Sequence, residues 1–221
     1  AVIGHEGLDR MLRRQEDVFY YLTMMNENYA HPPMLEGTRD GILRGLYQLR
    51  DAQDQSAPRV QLLGSGSILR EVLAAADLLR DEFGVHADVW SATSFTELRR
   101  DGLDVERWNL LHPGEPPRRS FVEEQLGGRP GPVIAATDWV KAYADQIRPF
   151  VSAPYRVLGT DGFGRSDRRE GLRHFFEVNR FFVAVAALKS LADAGVVPRA
   201  TVSQAIERFK IDPAKPNPMR S

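Results

Sequence analysis

The sequence predicts an α/β fold in which a mainly parallel sheet, with helices on both faces, follows the tail of a second α/β domain. Short apolar runs alternate with longer segments whose apolar residues recur at helical spacing. The apolar runs are nearly continuous, which is typical of strands buried on both faces. A polar stretch at residues 50–59, RDAQDQSAPR, separates the first elements from the rest and indicates a domain boundary.

The predicted elements alternate along the chain. Strands are predicted at residues 18–25, 60–63, 85–91, 132–137 and 155–159 from their apolar, β-branched and aromatic content. Helices are predicted at residues 38–49, 68–83, 139–150, 179–194 and 201–209. Asp138 and Thr201 precede helical segments and are predicted N-caps. This alternation indicates βαβ units, in which ligands or partner domains meet the carboxyl ends of the strands.

The boundary divides the chain into two parts. Residues 1–57 are predicted to be the end of one domain together with a linker, and residues 58–221 are predicted to form a second domain. The chain opens on Ala1 rather than on Met, in the middle of a pattern. We therefore expect it to be a segment of a longer protein.

The composition is that of a globular protein without a strongly charged surface. Of the 221 residues, 43% are hydrophobic and 27% are charged, and the formal net charge is −1. This balance gives no basic footprint for nucleic acid and no polybasic patch for a membrane. Because the chain has no cysteine, disulfides, thiolate metal sites and a cysteine nucleophile are excluded. The lack of cysteine fits a cytoplasmic protein.

Two glycine-rich segments follow predicted strands. The first, GSGSIL, lacks the third glycine of a dinucleotide motif and the lysine of a P-loop, so a tight turn is favoured, with Ser67 as a candidate N-cap. The second, GTDGFGRSD, faces a ligand or partner, or forms a turn in which Ser166 or Asp167 caps the next helix, and both can hold. The cap is favoured for Asp167, and the role of Arg165 stays open.

The segment NENYAHPP, after the first predicted strand, carries candidate acid–base chemistry. Glu27, Tyr29 and His31 place a carboxylate, a phenol and an imidazole within five residues, directly before two prolines. Loops at the ends of strands often carry acid–base residues. A carboxylate close to an imidazole can orient the ring and raise its basicity. The alternative is a turn whose geometry is satisfied by Asn26 and Asn28. The residue pattern alone narrowly favours the turn.

The order of the motifs resembles that of a known enzyme family. After NENY and LEG come VQLLGSGSILREV, SATSFTELRRDGLDVERWNLLHP, TDWVKAYADQIRPFV and YRVLGTDGFGRSDRREGLRHFFEV. This series resembles the C-terminal quarter of the homodimeric, thiamine-diphosphate-dependent pyruvate dehydrogenase first component of bacteria, within the transketolase-like superfamily. The likeness runs through essentially all 221 residues, in order.

The resemblance implies an architecture and a site. Residues 1–57 would end the middle, pyrimidine-binding domain, and residues 58–221 would form a C-terminal domain like that of transketolase. Glu27 and His31 match family positions that face the cofactor and substrate. Together with Tyr29 they would position the 2-oxo acid, or move protons during decarboxylation and reductive acetylation.

The resemblance also implies cofactors and partners. The complete enzyme would be a cytoplasmic homodimer that binds thiamine diphosphate and Mg²⁺ and decarboxylates pyruvate. It would then acetylate lipoyl groups of the dihydrolipoyl acetyltransferase component. The family's metal and diphosphate motif, GDG followed by a distant Asn, is expected upstream of Ala1, and TDGFG is not that motif. No residue of this chain is assigned to cofactor or metal binding, and the chain alone is expected to be inactive.

Two alternatives remain open. One is an enzyme of the same superfamily with another substrate, such as a 2-oxoglutarate dehydrogenase or a transketolase, whose distinguishing pocket residues would lie upstream. The other is a non-catalytic role as a scaffold or dimerisation module.

Overall fold

In the computed structural model, which describes residues 1–25, 28–52, 54 and 56–221, a five-stranded sheet lies between two layers of helices. The strands are β1 Leu46–Arg50, β2 Arg59–Gly64, β3 His86–Ala92, β4 Val133–Ala136 and β5 Tyr155–Leu158. The helices are α1 Val2–Leu8, α2 Arg39–Arg44, α3 Leu69–Phe83, α4 Phe95–Leu111, α5 Phe121–Leu126, α6 Lys141–Asp145, α7 Arg169–Phe175, α8 Arg180–Asp193 and α9 Arg199–Arg208.

The strand order confirms the predicted, mainly parallel sheet. The strands lie in the order β1-β3-β2-β4-β5. Strand β1 runs antiparallel to β3, and the other three neighbouring pairs are parallel. The four strands predicted between residues 60 and 159 are therefore all present, and they are the parallel ones.

Both faces of the sheet are buried, because successive residues of the central strands point to opposite sides. Leu62 of β2 packs in a cluster with residues of α3, α8 and α9, whereas Leu63 packs with residues of α4, α5 and α6. Strand β2 therefore carries apolar residues toward both layers of helices, Leu62 toward one and Leu63 toward the other.

Two elements predicted in the N-terminal part are wrong. Residues 18–25 are neither helix nor strand, because they pair with no strand of the described chain and their side chains are largely exposed. The predicted helix 38–49 ends at Arg44, where Gly45 takes a left-handed φ of 106°. Residues 46–50 instead pair with β3, and this pairing outweighs their helical spacing.

The predicted helix 139–150 is also shorter than expected. Helix α6 ends at Asp145, and a 3-10 turn, Arg148–Phe150, replaces its last part. Pro149 lies in that turn and lacks the N–H that an α-helix would use. The predicted N-caps Ser67, Asp138, Asp167 and Thr201 are not caps, because α3, α6, α7 and α9 are preceded by Ile68, Val140, Arg168 and Pro198.

The sheet takes one strand, β1, from the N-terminal side of the predicted division at 57/58, and the division itself stays a prediction.

In the described part of the chain, no helix combines the length and the apolar character needed to span a membrane.

A buried carboxylate anchors the connection between β1 and β2. Asp88 on β3 is fully buried and accepts hydrogen bonds from the backbone N–H of Ala52 at 3.0 Å, from Gln61 at 2.8 Å and from Gln48 at 3.2 Å. Arg59 forms an ion pair with it. Burial acts to raise the pKa of Asp88, but the hydrogen bonds and the guanidinium charge outweigh burial and lower the pKa.

Replacing Asp88 should change how the free energy of unfolding depends on pH. Asp88→Asn should lower the free energy of unfolding by about 3–5 kcal/mol near neutral pH, because it leaves the Arg59 charge without its buried partner. The ionised carboxylate stabilises the fold above its ordinary pKa of 3.8, and this contribution is lost as the pH falls through the lower folded pKa. Urea unfolding at several pH values should show the difference between wild type and variant shrinking in acid.

The matched control is Asp81→Asn, because Asp81 pairs with Arg80 on the surface. Asp81→Asn should lower the free energy of unfolding by no more than about 1 kcal/mol. Equal losses for the two variants would show that the Asp88 network does not anchor the fold.

Candidate functional site

The chain reverses its direction across the sheet at β2, and this reversal marks a candidate site. From β2 the chain passes to β3 on one side, and later to β4 on the other side. The loops that follow β2 and β4 therefore diverge at the carboxyl edge of the sheet. In open α/β sheets this switch point is where ligands bind.

The two loops meet through one hydrogen bond. Ser67, after β2, donates from its hydroxyl to Asp138 Oδ2 at 3.1 Å. Gly66 has a φ of 56°, and a Cβ on it would lie 3.5 Å from Asp138 Oδ1. A Cβ on Gly64 would lie only 2.7 Å from the Cα of Leu69. The glycines therefore serve a tight βα turn, as the sequence predicts.

A buried carboxylate lies one helical turn further along α3. Glu71 accepts bonds from the guanidinium of Arg180 at 2.9 and 3.1 Å and from the Arg180 backbone N–H at 3.0 Å. Arg173 on α7 donates to the same carboxylate at 3.3 Å. Burial acts to raise the pKa of Glu71, but the hydrogen bonds from Arg180 and the charges of both arginines outweigh it, so the pKa is lowered. Glu71 is ionised at neutral pH and fixes both guanidinium groups.

Tyr29 is the predicted site residue that the structure brings to this cluster. Its hydroxyl accepts hydrogen bonds from Arg169 at 3.2 Å and from Arg173 at 3.3 Å. The guanidinium of Arg70 lies 4.2 Å from the centre of its ring. Arg173 also donates to Ser67 at 3.4 Å, so two hydrogen bonds connect Tyr29 to the switch-point loop.

The other two predicted site residues, His31 and Glu27, are not found in this cluster of described residues. His31 is exposed, and no hydrogen bond or ion pair of its side chain occurs within the described chain. Glu27 lies outside the described residues. The roles of Glu27, Tyr29 and His31 in catalysis therefore stay predictions.

The second glycine-rich loop packs against its own chain. Thr160 donates from its hydroxyl to the carbonyl of Asp138 at 2.8 Å. Asp161 accepts the Lys141 backbone N–H at 3.0 Å, which supplies the start of α6 with a cap from a distant loop. Gly162 has a φ of 118°, and a Cβ on it would lie 2.2 Å from the carbonyl oxygen of Pro218. These contacts fix the loop between the β4 exit and the C-terminal tail.

The end of this loop shows what Arg165 and Asp167 contact. The guanidinium of Arg165 lies 4.1 Å from the centre of the Phe175 ring. Asp167 accepts the backbone N–H of Arg168 at 2.6 Å, next to the start of α7. Both side chains thus hold the loop against α7.

The described residues do not fit a metal–diphosphate site. Within them, no group of three His, Asp or Glu side chains is placed to hold a metal ion. Asp161, the acidic residue of the TDGFG loop, accepts a backbone N–H instead. No catalytic step in this chain is therefore assigned to thiamine diphosphate or Mg²⁺.

Comparison with protein families agrees with the observed α/β fold. The family described as "Transketolase-like TK C-terminal domain" matches residues 45–179, which is more than half of the chain and includes all five strands of the sheet. The chain belongs to this family. A second family, described as "Pyruvate dehydrogenase E1 component middle domain", matches residues 1–32.

Curated relatives of this family member are similar over almost its whole length. "Pyruvate dehydrogenase E1 component" of Cupriavidus necator is 60% identical over 220 residues, which is 99% of this chain and 25% of the relative. The proteins of that name from Pseudomonas aeruginosa and Escherichia coli are 59% and 53% identical over the same share of this chain, and the chain covers 25% and 24% of them. The chain spans about a quarter of the length of these relatives.

A solved structure is similar at lower identity. A transketolase from Campylobacter jejuni aligns at 20% sequence identity with a TM-score of 0.46, covering 66% of this chain and 18% of that one.

Sequence reasoning missed Glu71 and Arg173. Glu71 shares its side of α3 with the buried residues Ala75 and Leu79, which follow at four and eight positions. A glutamate on an otherwise apolar stripe signals a buried ion pair. Arg169 and Arg173 also lie four positions apart, so one side of α7 presents both guanidinium groups.

Replacing Glu71 should test whether it organises these arginines. Glu71→Gln should lower the free energy of unfolding by about 3–5 kcal/mol, because Arg173 and Arg180 lose the charge that compensates them. Glu82→Gln is the matched control on the same helix, since Glu82 pairs with the exposed Arg208. The control should cost no more than about 1 kcal/mol in the same urea titration. A Glu71→Gln loss as small as the control's would argue against an organising role.

Proposed function

We infer that this chain is part of an enzyme that decarboxylates pyruvate with thiamine diphosphate and Mg²⁺ and passes the acetyl group to lipoyl groups. The observation that carries this inference is the high identity, across almost all of the chain, to relatives named as a component of pyruvate dehydrogenase. The two families matched in order along the chain support the same inference.

Within that enzyme, Glu27 and His31 are proposed to move protons at the reacting 2-oxo acid. His31 directly precedes the paired prolines, whose fixed φ stiffens the backbone there, and Glu27 lies four residues before His31 in the sequence. The exposure of His31 supports this role, because an exposed imidazole is accessible to a reacting group. Residues 1–57 would belong to the middle domain and residues 58–221 to the C-terminal domain.

The cofactor and partners follow from the same inference. Thiamine diphosphate with Mg²⁺ would supply the carbanion chemistry from a site outside this chain. The complete enzyme would act as a cytoplasmic homodimer on the lipoyl-bearing dihydrolipoyl acetyltransferase component. The 221 residues alone would not decarboxylate pyruvate.

A second candidate function is favoured by the position of Tyr29. If the segment around Tyr29 has no chemical role, its contacts with α3 and α7 would serve only to attach the N-terminal part to the sheet domain. The chain would then be a scaffold or dimerisation module of the same enzyme.

Replacing His31 and Glu27 in the full-length enzyme distinguishes these functions. His31→Ala and Glu27→Gln should each lower kcat by about 10²–10⁴-fold with an unchanged Tm, because groups that transfer protons contribute on that scale. Decarboxylation is measured with an artificial electron acceptor, and acetyl transfer is measured in the assembled complex.

The control is His5→Ala, since His5 is an exposed histidine on α1. It should leave kcat unchanged. If His31→Ala and Glu27→Gln also keep wild-type rates in both assays, the scaffold function is the correct one.

A further inference from the structure

Among the described residues 28–35, Tyr29 makes side-chain hydrogen bonds to helix α7. Residues 28–35 contain no helix or strand, and Tyr29 is half-buried between exposed neighbours. A segment of this kind has few backbone bonds to fix it, so a side-chain contact decides its position.

Three guanidinium groups from two helices converge on Tyr29. Arg70 of α3 lies over the ring, and Arg169 and Arg173 of α7 donate to the hydroxyl. A phenol can accept all three contacts, because its face attracts cations and its oxygen has two lone pairs. Tyr29 is therefore held by a cation–π contact on its ring and by hydrogen bonds to its hydroxyl.

Arg173 connects this contact to the rest of the fold. Its side chain is only 17% exposed and donates to Tyr29, Glu71 and Ser67. Glu71 is itself fixed by three hydrogen bonds from Arg180, and Ser67 is bonded to Asp138. The planar guanidinium presents its donors in a fixed arrangement, so the anchored Glu71 and Ser67 define where Tyr29 binds.

Tyr29 is two residues from Glu27 and two residues from His31. Two residues of extended chain span at most about 7 Å, so fixing Tyr29 limits how far His31 can move. We propose that Arg173 is a positioning residue, which fixes His31 for proton transfer by holding the Tyr29 hydroxyl. This proposal rests on the proposed function and adds that the C-terminal domain takes part in catalysis through this contact.

Two substitutions in the full-length enzyme remove the contact from either side. Tyr29→Phe deletes the hydroxyl but keeps the ring under Arg70, and Arg173→Met deletes the donors but keeps an unbranched apolar stem. Each should lower kcat about 10- to 100-fold, because a small misplacement of reacting groups costs rate on that scale. KM for pyruvate should change little in both variants, and Tm should change little in Tyr29→Phe. Arg173→Met should also lower Tm, because Glu71 loses one of its two charged partners, so Tyr29→Phe is the variant that isolates the contact.

The conservative variant and a matched control sharpen the test. Arg173→Lys keeps the charge but presents a single ammonium group, so it should recover only part of the lost kcat. Arg168→Met removes a neighbouring arginine that is exposed and whose side chain has no hydrogen bond or ion pair in the described chain. It should keep the wild-type kcat. If Arg168→Met reduces kcat as much as Arg173→Met, the effect is one of general charge and the proposal is overturned.

Double variants separate positioning from a general structural effect. Because Arg173 is proposed to act through Tyr29, Tyr29→Phe should add almost nothing to the loss caused by Arg173→Met. Likewise, Arg173→Met should add little to His31→Ala, since residues that act as one unit are not additive. Full additivity in both cycles would overturn the proposal.

Failure of this proposal differs from failure of the proposed function. If His31→Ala and Glu27→Gln keep the wild-type kcat, the proposed function is wrong at these residues and the positioning role falls with it. If those variants lose activity while Tyr29→Phe and Arg173→Met keep it, only the positioning role is overturned.

Discussion

The burial of the Glu71 carboxylate is the interaction on which the carboxyl edge of the sheet depends. An ionised group is costly to bury unless it is paired and hydrogen-bonded, and Glu71 meets that condition through Arg173 and Arg180. These partners come from α7 and from the first residue of α8, so one carboxylate on α3 fixes the relative positions of three helices. Arg173, held in this way, has a donor left for the N-terminal segment.

At the switch point of this sheet, the diverging loops contact a segment of the same chain. In many open α/β sheets the crevice between diverging loops receives a ligand. In this chain Ser67 and Asp138 bond to each other, Arg173 joins Ser67, and Tyr29 docks on Arg173. The edge therefore receives part of the same polypeptide. The tight glycine turn serves this purpose, because it brings the loop after β2 close to Asp138.

A second buried carboxylate has a comparable role elsewhere in the sheet. Asp88 holds Ala52 in the connection between β1 and β2, and β1 runs antiparallel to β3. The chain thus has two polar anchors. The Asp88 anchor fixes the connecting segment to the sheet, and the Glu71 anchor fixes the segment that carries Tyr29. The Asp88 anchor lies within the family match, whereas the Glu71 anchor links Tyr29, which precedes that match, to the sheet domain.

The sequence by itself determined the parallel strands, the long helices α3 and α8 and the family, because these depend on local apolar patterns and on the order of motifs. It also predicted a catalytic role for Tyr29, which stays a prediction. Only the tertiary structure decided that residues 46–50 form a strand, since pairing with β3 overrides helical spacing. The tertiary structure also decided the contact of Tyr29 with Arg173, which lie 144 positions apart in the chain. No local pattern encodes such a contact, because it arises only when α7 and α3 are brought together around Glu71.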